Sequence, residues 1–213
     1  MTSSEALWAE IDRFLATLDQ THRGVSWVRT RMAGLKDLQS RSLARSANTP
    51  RCGYLDEALA AIEIDSAIPL KRAIQNAGLH WESYQGYVAD TIGPHFPQRH
   101  AYASLMAGAD PDWACDFDLG IFLITPGTLY RDHHHPAPEI YVPLTGPSKW
   151  RFGAGHEWVE RQAGDFVWNP SNQVHATLVG TVPFLCLYAW PEQINVPAKV
   201  DFSEDWKAIE AAS

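Results

Sequence analysis

The stretch Gly127–Gly146, GTLYRDHHHPAPEIYVPLTG, decides how the rest of the chain is read. It sets His133, His134, His135 and Glu139 close together and places Tyr141 two residues further on. On a β-strand, residues two apart point to one side. His133 and His135 therefore share a face, His134 turns away, and Glu139 and Tyr141 keep the parity of the first pair. Pro136 and Pro138 bend the segment between them. Two imidazoles and a carboxylate on one side are the donors a divalent transition metal takes. His175, in the later run GDFVWNPSNQVHATLVG, supplies a fourth. A lone histidine is normally exposed or hydrogen-bonded. His134 is read that way, as are His22, His80, His95, His100 and His156.

The runs around this stretch have the same character. FDLGIFLITPG, EIYVPLTG, KWRFGAG, EWVERQAGDFVWNP, HATLVG and VPFLCLYAWP are short and apolar or alternating, and Gly, Pro and Asn punctuate them. Short strands at close spacing, with no helices between them, predict an antiparallel β-sandwich or barrel rather than a parallel α/β sheet.

Before about residue 100 the period is helical. Leu7, Trp8, Ile11, Phe14, Leu15 and Leu18 form one apolar face, with Gly24 expected beyond the helix end. Further helices are expected over Val25 to Leu38, Leu55 to Ile64 and Leu70 to Ala77, the last with Pro69 at its start and Gly78 at its stop. Residues 1–100 are thus expected to be a helical region packing on the barrel or on a partner subunit, in a possible homodimer. Residues 101–213 are expected to be the barrel with its metal site.

Composition narrows the functional classes. The 213 residues are 46% hydrophobic and 20% charged, ordinary for a globular chain. The net charge of −8 and the lack of a basic run argue against nucleic acid and anionic membranes as partners. No stretch is long and apolar enough to span a bilayer. Acidic residues interrupt the first apolar segment, which excludes a secretory signal there. Cys52, Cys115 and Cys186 have no CxxC spacing and read as reduced thiols of a cytoplasmic protein.

Gly127, His133, His135, Glu139 and Gly146 together resemble the first motif of the cupin superfamily. Gly164, Pro170, Asn172 and His175 resemble the second, with Asn172 where glycine is usual and Val179 where asparagine is usual. The likeness covers roughly residues 115 to 192 and implies a mainly β fold, a single jelly-roll barrel behind an α-helical N-terminal extension. A closer resemblance follows. HxHPAPExYxxLxG, then Trp150–Arg151, then GDFVWxPxxxxHA, is similar to the cupin-type dimethylsulfoniopropionate lyases. These cleave their zwitterionic substrate to dimethyl sulfide and acrylate. The resemblance implies His133, His135, Glu139 and His175 as ligands of one divalent ion (Fe, Mn, Zn, Co or Ni). It also implies Tyr141 as the base, or as an extra ligand that becomes one, and Tyr130 as a second site tyrosine.

The chemistry of such a cleavage suits these residue types. β-Elimination removes a weakly acidic proton beside a carboxylate, and a metal on that carboxylate stabilises the developing charge. A sulfonium has no proton to donate, but aromatic faces attract cations. Trp150, Trp168, Tyr188 and Trp190 are the candidates for that contact. The same ligand set would serve an Fe(II) dioxygenase or a small-molecule isomerase. A non-catalytic ligand-binding barrel is the third reading, and the intact ligand set weighs against it.

Overall fold

A computed structural model describes residues 3–35, 46–87, 91–106 and 116–212. Cys115 and the expected helix end at Leu38 lie outside them. The strands are β1 (His100–Ser104), β2 (Asp118–Ile124), β3 (Leu129–His134), β4 (Glu139–Pro143), β5 (Ser148–Arg151), β6 (Val159–Arg161), β7 (Val167–Asn169), β8 (His175–Val179), β9 (Phe184–Trp190) and β10 (Lys199–Val200). They form two five-stranded antiparallel sheets, ordered β1-β2-β9-β4-β7 and β10-β3-β8-β5-β6. The strand spacing predicts a sandwich or barrel, and the two sheets have the jelly-roll form that the resemblance implies. β1, which opens at the expected border of the barrel, and β10 carry weak strand patterns and were not anticipated.

The first sheet is buried on both faces. Phe122, Cys186, Tyr188, Tyr141 and Val167 belong to the core inside the roll. Their neighbours Leu119, Ile121, Leu123, Ile140, Val142, Leu185, Leu187 and Ala189 belong to a second core outside it. Helices close that outer core: α1 (Ser3–Leu15), α2 (Arg23–Gly34), α3 (Leu55–Ala60) and α4 (Ile68–Asn76). Leu7, Trp8, Ile11, Phe14 and Leu15 of α1, Met32 of α2, Leu59 of α3 and Leu70 of α4 meet there. The expected helices are present, with α3 ending four residues early. Pro69 opens α4, and Gly78 at φ +63° stops it.

Gly24 is not the stop that its position suggested. It lies in the first turn of α2, where His22 caps the helix by accepting from the Gly24 N–H at 3.1 Å. A Cβ on Gly24 would sit 2.5 Å from the Trp168 ring and 2.9 Å from Ile140. The glycine therefore permits α2 to lie against β4 and β7.

A fifth helix, α5 (Trp206–Ala212), closes on the outer side of β3. Arg131 stacks on Trp206 at 4.6 Å and donates to both Glu210 oxygens at 2.8 and 2.9 Å. Asp132 and Arg151 are fully buried and paired, and Arg151 also reaches Asp205. The Trp206 indole donates to Asp132 at 2.7 Å. This network pins β3, the strand carrying the first histidine of the site, to β5 and to the C-terminal segment.

Candidate metal centre and cavity

Cross-strand register brings the histidines together. His133 on β3 stands opposite His175 on β8. His135 follows the end of β3, and its carbonyl accepts from the Asn172 N–H at 2.9 Å. Asn172 adopts φ +60°, the left-handed region that favours glycine and that asparagine also tolerates. Val179 is a buried residue whose N–H bonds to Thr128 at 3.0 Å. Neither departure from the cupin motif disturbs the site.

Each of the three rings is oriented the same way. Nδ1 of His133 faces the Arg131 carbonyl at 2.7 Å, that of His135 faces Ala137 at 2.8 Å, and that of His175 faces Gln173 at 2.9 Å. A carbonyl only accepts, so each Nδ1 carries a hydrogen and each ring turns its Nε2 inward. Their ligand atoms lie within 4.8 Å of one another, and all three residues are buried. Nε2 of His133 and of His175 has no hydrogen-bond partner. Buried polar atoms are nearly always satisfied, so lone pairs converging from three sides fit a cation. Burial, reinforced by the other two imidazoles, holds the pKa of His133 well below that of a free histidine. This keeps the ring neutral and able to coordinate.

Glu139 completes the set. Its Oε2 lies 3.2 Å from His135 Nε2 and 3.3 Å from His175 Nε2, while Oε1 accepts from the Trp190 indole at 2.6 Å. Burial alone would raise its pKa, but the His135 and His175 imidazoles outweigh that and hold the carboxyl well below the usual range. His100 is the contrasting case. Its Nδ1 donates to Phe96 at 2.6 Å and its Nε2 accepts from the Tyr84 N–H at 2.9 Å, leaving no lone pair free. His134 turns away from the other three, as its parity predicts, and pairs with Asp201.

Tyr130 reaches the site although simple alternation points it elsewhere. Between Tyr130 and His133 the β3 strand holds one residue more than β8 opposite, which is a bulge. The bulge stacks the Tyr130 ring on His133 at 4.0 Å. Phe96 stacks on the other face of Tyr130 at 4.0 Å, and His100 stacks on Phe96 at 4.1 Å. The Tyr130 hydroxyl bonds that of Tyr87. Burial is the first reason that the phenols of Tyr130 and Tyr141 sit well above their ordinary pKa, and the Glu139 charge adds to it.

A cavity of about 270 Å³ opens beside these residues. Glu139, Tyr141, Tyr130, Tyr188 and Trp190 line it, together with Asp118, Tyr84, Tyr87 and Tyr102. No lysine or arginine is among the described residues of its wall.

Two aromatic candidates are not in that wall. Trp168 faces out of the roll, because Val167 beside it pairs with Tyr141 on the inside; its ring packs on Gly24 and stands 6.5 Å from Trp27. Trp150 is fully buried behind Tyr141 at 5.1 Å, its indole donating to Ser148 at 3.0 Å. Neither is among the described residues that line this cavity, and both pack against their neighbours instead. The sequence reading did not select Asp118, Tyr102 or Asn169. Asn169 stands opposite Glu139, buried, with neither side-chain polar atom partnered. Its place beside a ligand-type residue on the neighbouring strand was the available signal.

Comparison with known proteins gives a consistent picture. The family described as dimethylsulfoniopropionate lyase matches residues 25–186. No curated protein matches the chain. A structure described as DMSP lyases RdDddP and RnDddQII is 20% identical, with a TM-score of 0.58, over 74% of this chain and 81% of that one. The DMSP lyase DddQ from Ruegeria pomeroyi DSS-3 is 22% identical, with a TM-score of 0.56, over 84% of this chain and 98% of its own. At that identity the two structures establish a shared fold.

Proposed function

The chain belongs to the dimethylsulfoniopropionate lyase family and is a lyase, and from that premise we propose that it cleaves dimethylsulfoniopropionate to dimethyl sulfide and acrylate by metal-dependent β-elimination. The observation that carries this reading is the inward convergence of three tautomer-locked histidines beside Glu139, at the wall of a small aromatic cavity.

His133, His135, His175 and Glu139 would hold the ion. When bound, a divalent ion withdraws charge from the substrate carboxylate and from nearby phenols. Trp190 fixes Oε1 of Glu139 and so turns Oε2 toward the histidines. Tyr141, two residues along β4 from Glu139 and on the same face, takes the proton from the carbon beside the carboxylate as the phenolate that a bound dication would favour. The C–H electron pair becomes the new carbon–carbon double bond as the Cβ–S bond breaks, and sulfur leaves with the Cβ–S pair as neutral dimethyl sulfide. Acrylate retains the negative charge, and the proton stays on Tyr141 until solvent removes it. Tyr130, held by its stack on His133 and by Tyr87, shapes the wall beside the reacting carbons.

The test is headspace detection of dimethyl sulfide from the metal-loaded chain under anaerobic conditions, with and without a chelator. Release without oxygen, abolished by the chelator and restored by metal, is expected. No release overturns the assignment of substrate, release only with oxygen overturns elimination, and indifference to the chelator overturns the metal.

A further inference from the structure

Asp118 is a charged residue in the cavity wall to which the elimination chemistry gives no task. It opens β2 and pairs with Trp190 on β9. Ala189 pairs with Ile140 on β4, so Trp190 in turn stands opposite Glu139. Asp118, Trp190 and Glu139 thus form one row across three strands, and two interstrand spacings put the outer pair about 10 Å apart at the backbone. The row points into the roll, and all three residues line the cavity.

The Asp118 side chain is held as an acceptor. Oδ1 takes the Ser104 hydroxyl and the Leu119 N–H, and Oδ2 takes the Tyr188 hydroxyl at 3.0 Å. Ser104 is oriented for this by accepting from the Met106 N–H at 3.2 Å. Three donors favour the ionised carboxylate, opposing the burial that raises its pKa. Gly120 makes the arrangement possible, because a Cβ there would lie 2.6 Å from the Tyr188 ring and 2.5 Å from the Ala103 carbonyl. Tyr102, whose ring stands 6.5 Å from that of Tyr188, adds a second aromatic face. With no lysine or arginine in the described wall, nothing neutralises Asp118 from within the cavity.

We infer that Asp118, flanked by the Tyr188 and Tyr102 rings, is the subsite that selects a cationic group on the substrate's β-carbon. The choice of ligand class rests on the lyase reading above. A short zwitterion then lies along the row, its carboxylate toward Glu139 and the histidines and its onium toward Asp118. Two methylenes between the charges match a span of this order once the side chains reach inward. The sulfonium charge disappears as dimethyl sulfide leaves, so Asp118 stabilises the bound substrate more than the transition state. Its removal should therefore raise KM without lowering kcat.

The experiment uses two carboxylates of one shape and different charge, 3-(trimethylammonio)propanoate and 4,4-dimethylpentanoate. Calorimetry measures both on the metal-loaded parent chain and on Asp118→Asn. The parent should prefer the cation, and the variant should lose about ten- to hundredfold of its affinity for it while the neutral ligand changes little. KM for dimethylsulfoniopropionate should rise by a similar factor with kcat not lowered. Equal weakening of both ligands, or no preference in the parent, overturns the subsite. If Asp118→Asn does not fold, the parent's preference and its retention in Asp118→Glu decide the matter. Selective cation binding without release of dimethyl sulfide would remove the proposed reaction and leave the subsite standing. Release without any preference would do the reverse.

Discussion

Tyr141→Phe removes one oxygen from a site where the rest of the side chain is held independently. The ring is 5% exposed and lies 5.1 Å from Trp150, 6.3 Å from Phe122 and 6.4 Å from His175. Phenylalanine keeps all three contacts, and the loss of a hydroxyl costs about 1 kcal/mol or less of stability. Removing a general base costs about 10²- to 10⁴-fold in rate, or ~3–5 kcal/mol of transition-state free energy. The two effects differ enough to be separated. The variant should unfold within a few degrees of the parent, keep its metal, and release dimethyl sulfide at least a hundredfold more slowly at saturating substrate. Tyr130→Phe is the matched comparison, since its ring remains stacked between His133 and Phe96 and only the bond to Tyr87 is lost. Headspace rates for the two variants, with metal content and thermal midpoints measured on the same samples, decide between them. If Tyr141→Phe turns over within about fivefold of the parent while Tyr130→Phe is silent, the base is Tyr130 and the role given to Tyr141 fails.

His135→Ala and Glu139→Ala should each lose bound metal and turnover together, read by elemental analysis and headspace assay; retained metal in either counts against that ligand. Arg151→Met leaves Asp132 buried without its ionic partner and should cost ~3–5 kcal/mol in urea denaturation. Adding Asp132→Leu should recover much of that loss, and a double variant no better than the single one refutes the pairing argument. Burial holds the His100 imidazole down at about 4, against an ordinary value near 6.5. The folded ring stays neutral while the unfolded one takes up a proton across that window, so stability falls as pH drops from about 6.5 toward 4, by ~3 kcal/mol from this residue. Urea midpoints at pH 7 and 4.5 should show a shallower fall in His100→Gln, and an unchanged slope excludes this residue as the source.

The four ligand-type residues were legible because two independent rules agreed on them. Alternation put His133, His135, Glu139 and Tyr141 on one side, and the second glycine-bounded segment placed His175 on a later strand, which the structure pairs with β3. What was not legible follows from the same rules meeting unusual conditions. The β3 bulge breaks alternation by one residue, so Tyr130 was assigned a parity that the backbone does not keep. A two-sided strand has no alternation to read. DLGIFLI of β2 is apolar on both faces because one lines the roll and the other lies under the helices. Nothing in that run marked Asp118 as facing the cavity. The outward face of Trp168 was not legible for the same reason, since it depends on the pairing of β7 with β4.

That two-sided burial also gives the helical half a physical role in the site. Along β2, β4 and β9, residues that line the cavity alternate with residues packed under α1 to α4. Asp118 is followed by Leu119, Glu139 by Ile140, and Trp190 is preceded by Ala189. A shift in how the helices seat is therefore transmitted within one residue to a wall of the cavity. The close approach at Gly24, where α2 packs on Ile140 next to Glu139, is one such route. A strand exposed to water on its outer face would hold Glu139 by its ladder bonds alone. A strand packed on both faces holds it also against the side-chain density of the outer core, and interiors at that density deform little. The N-terminal helices thus contribute rigidity to the row from Asp118 to Glu139, which is the condition for holding donors and base in a fixed relation to a small substrate.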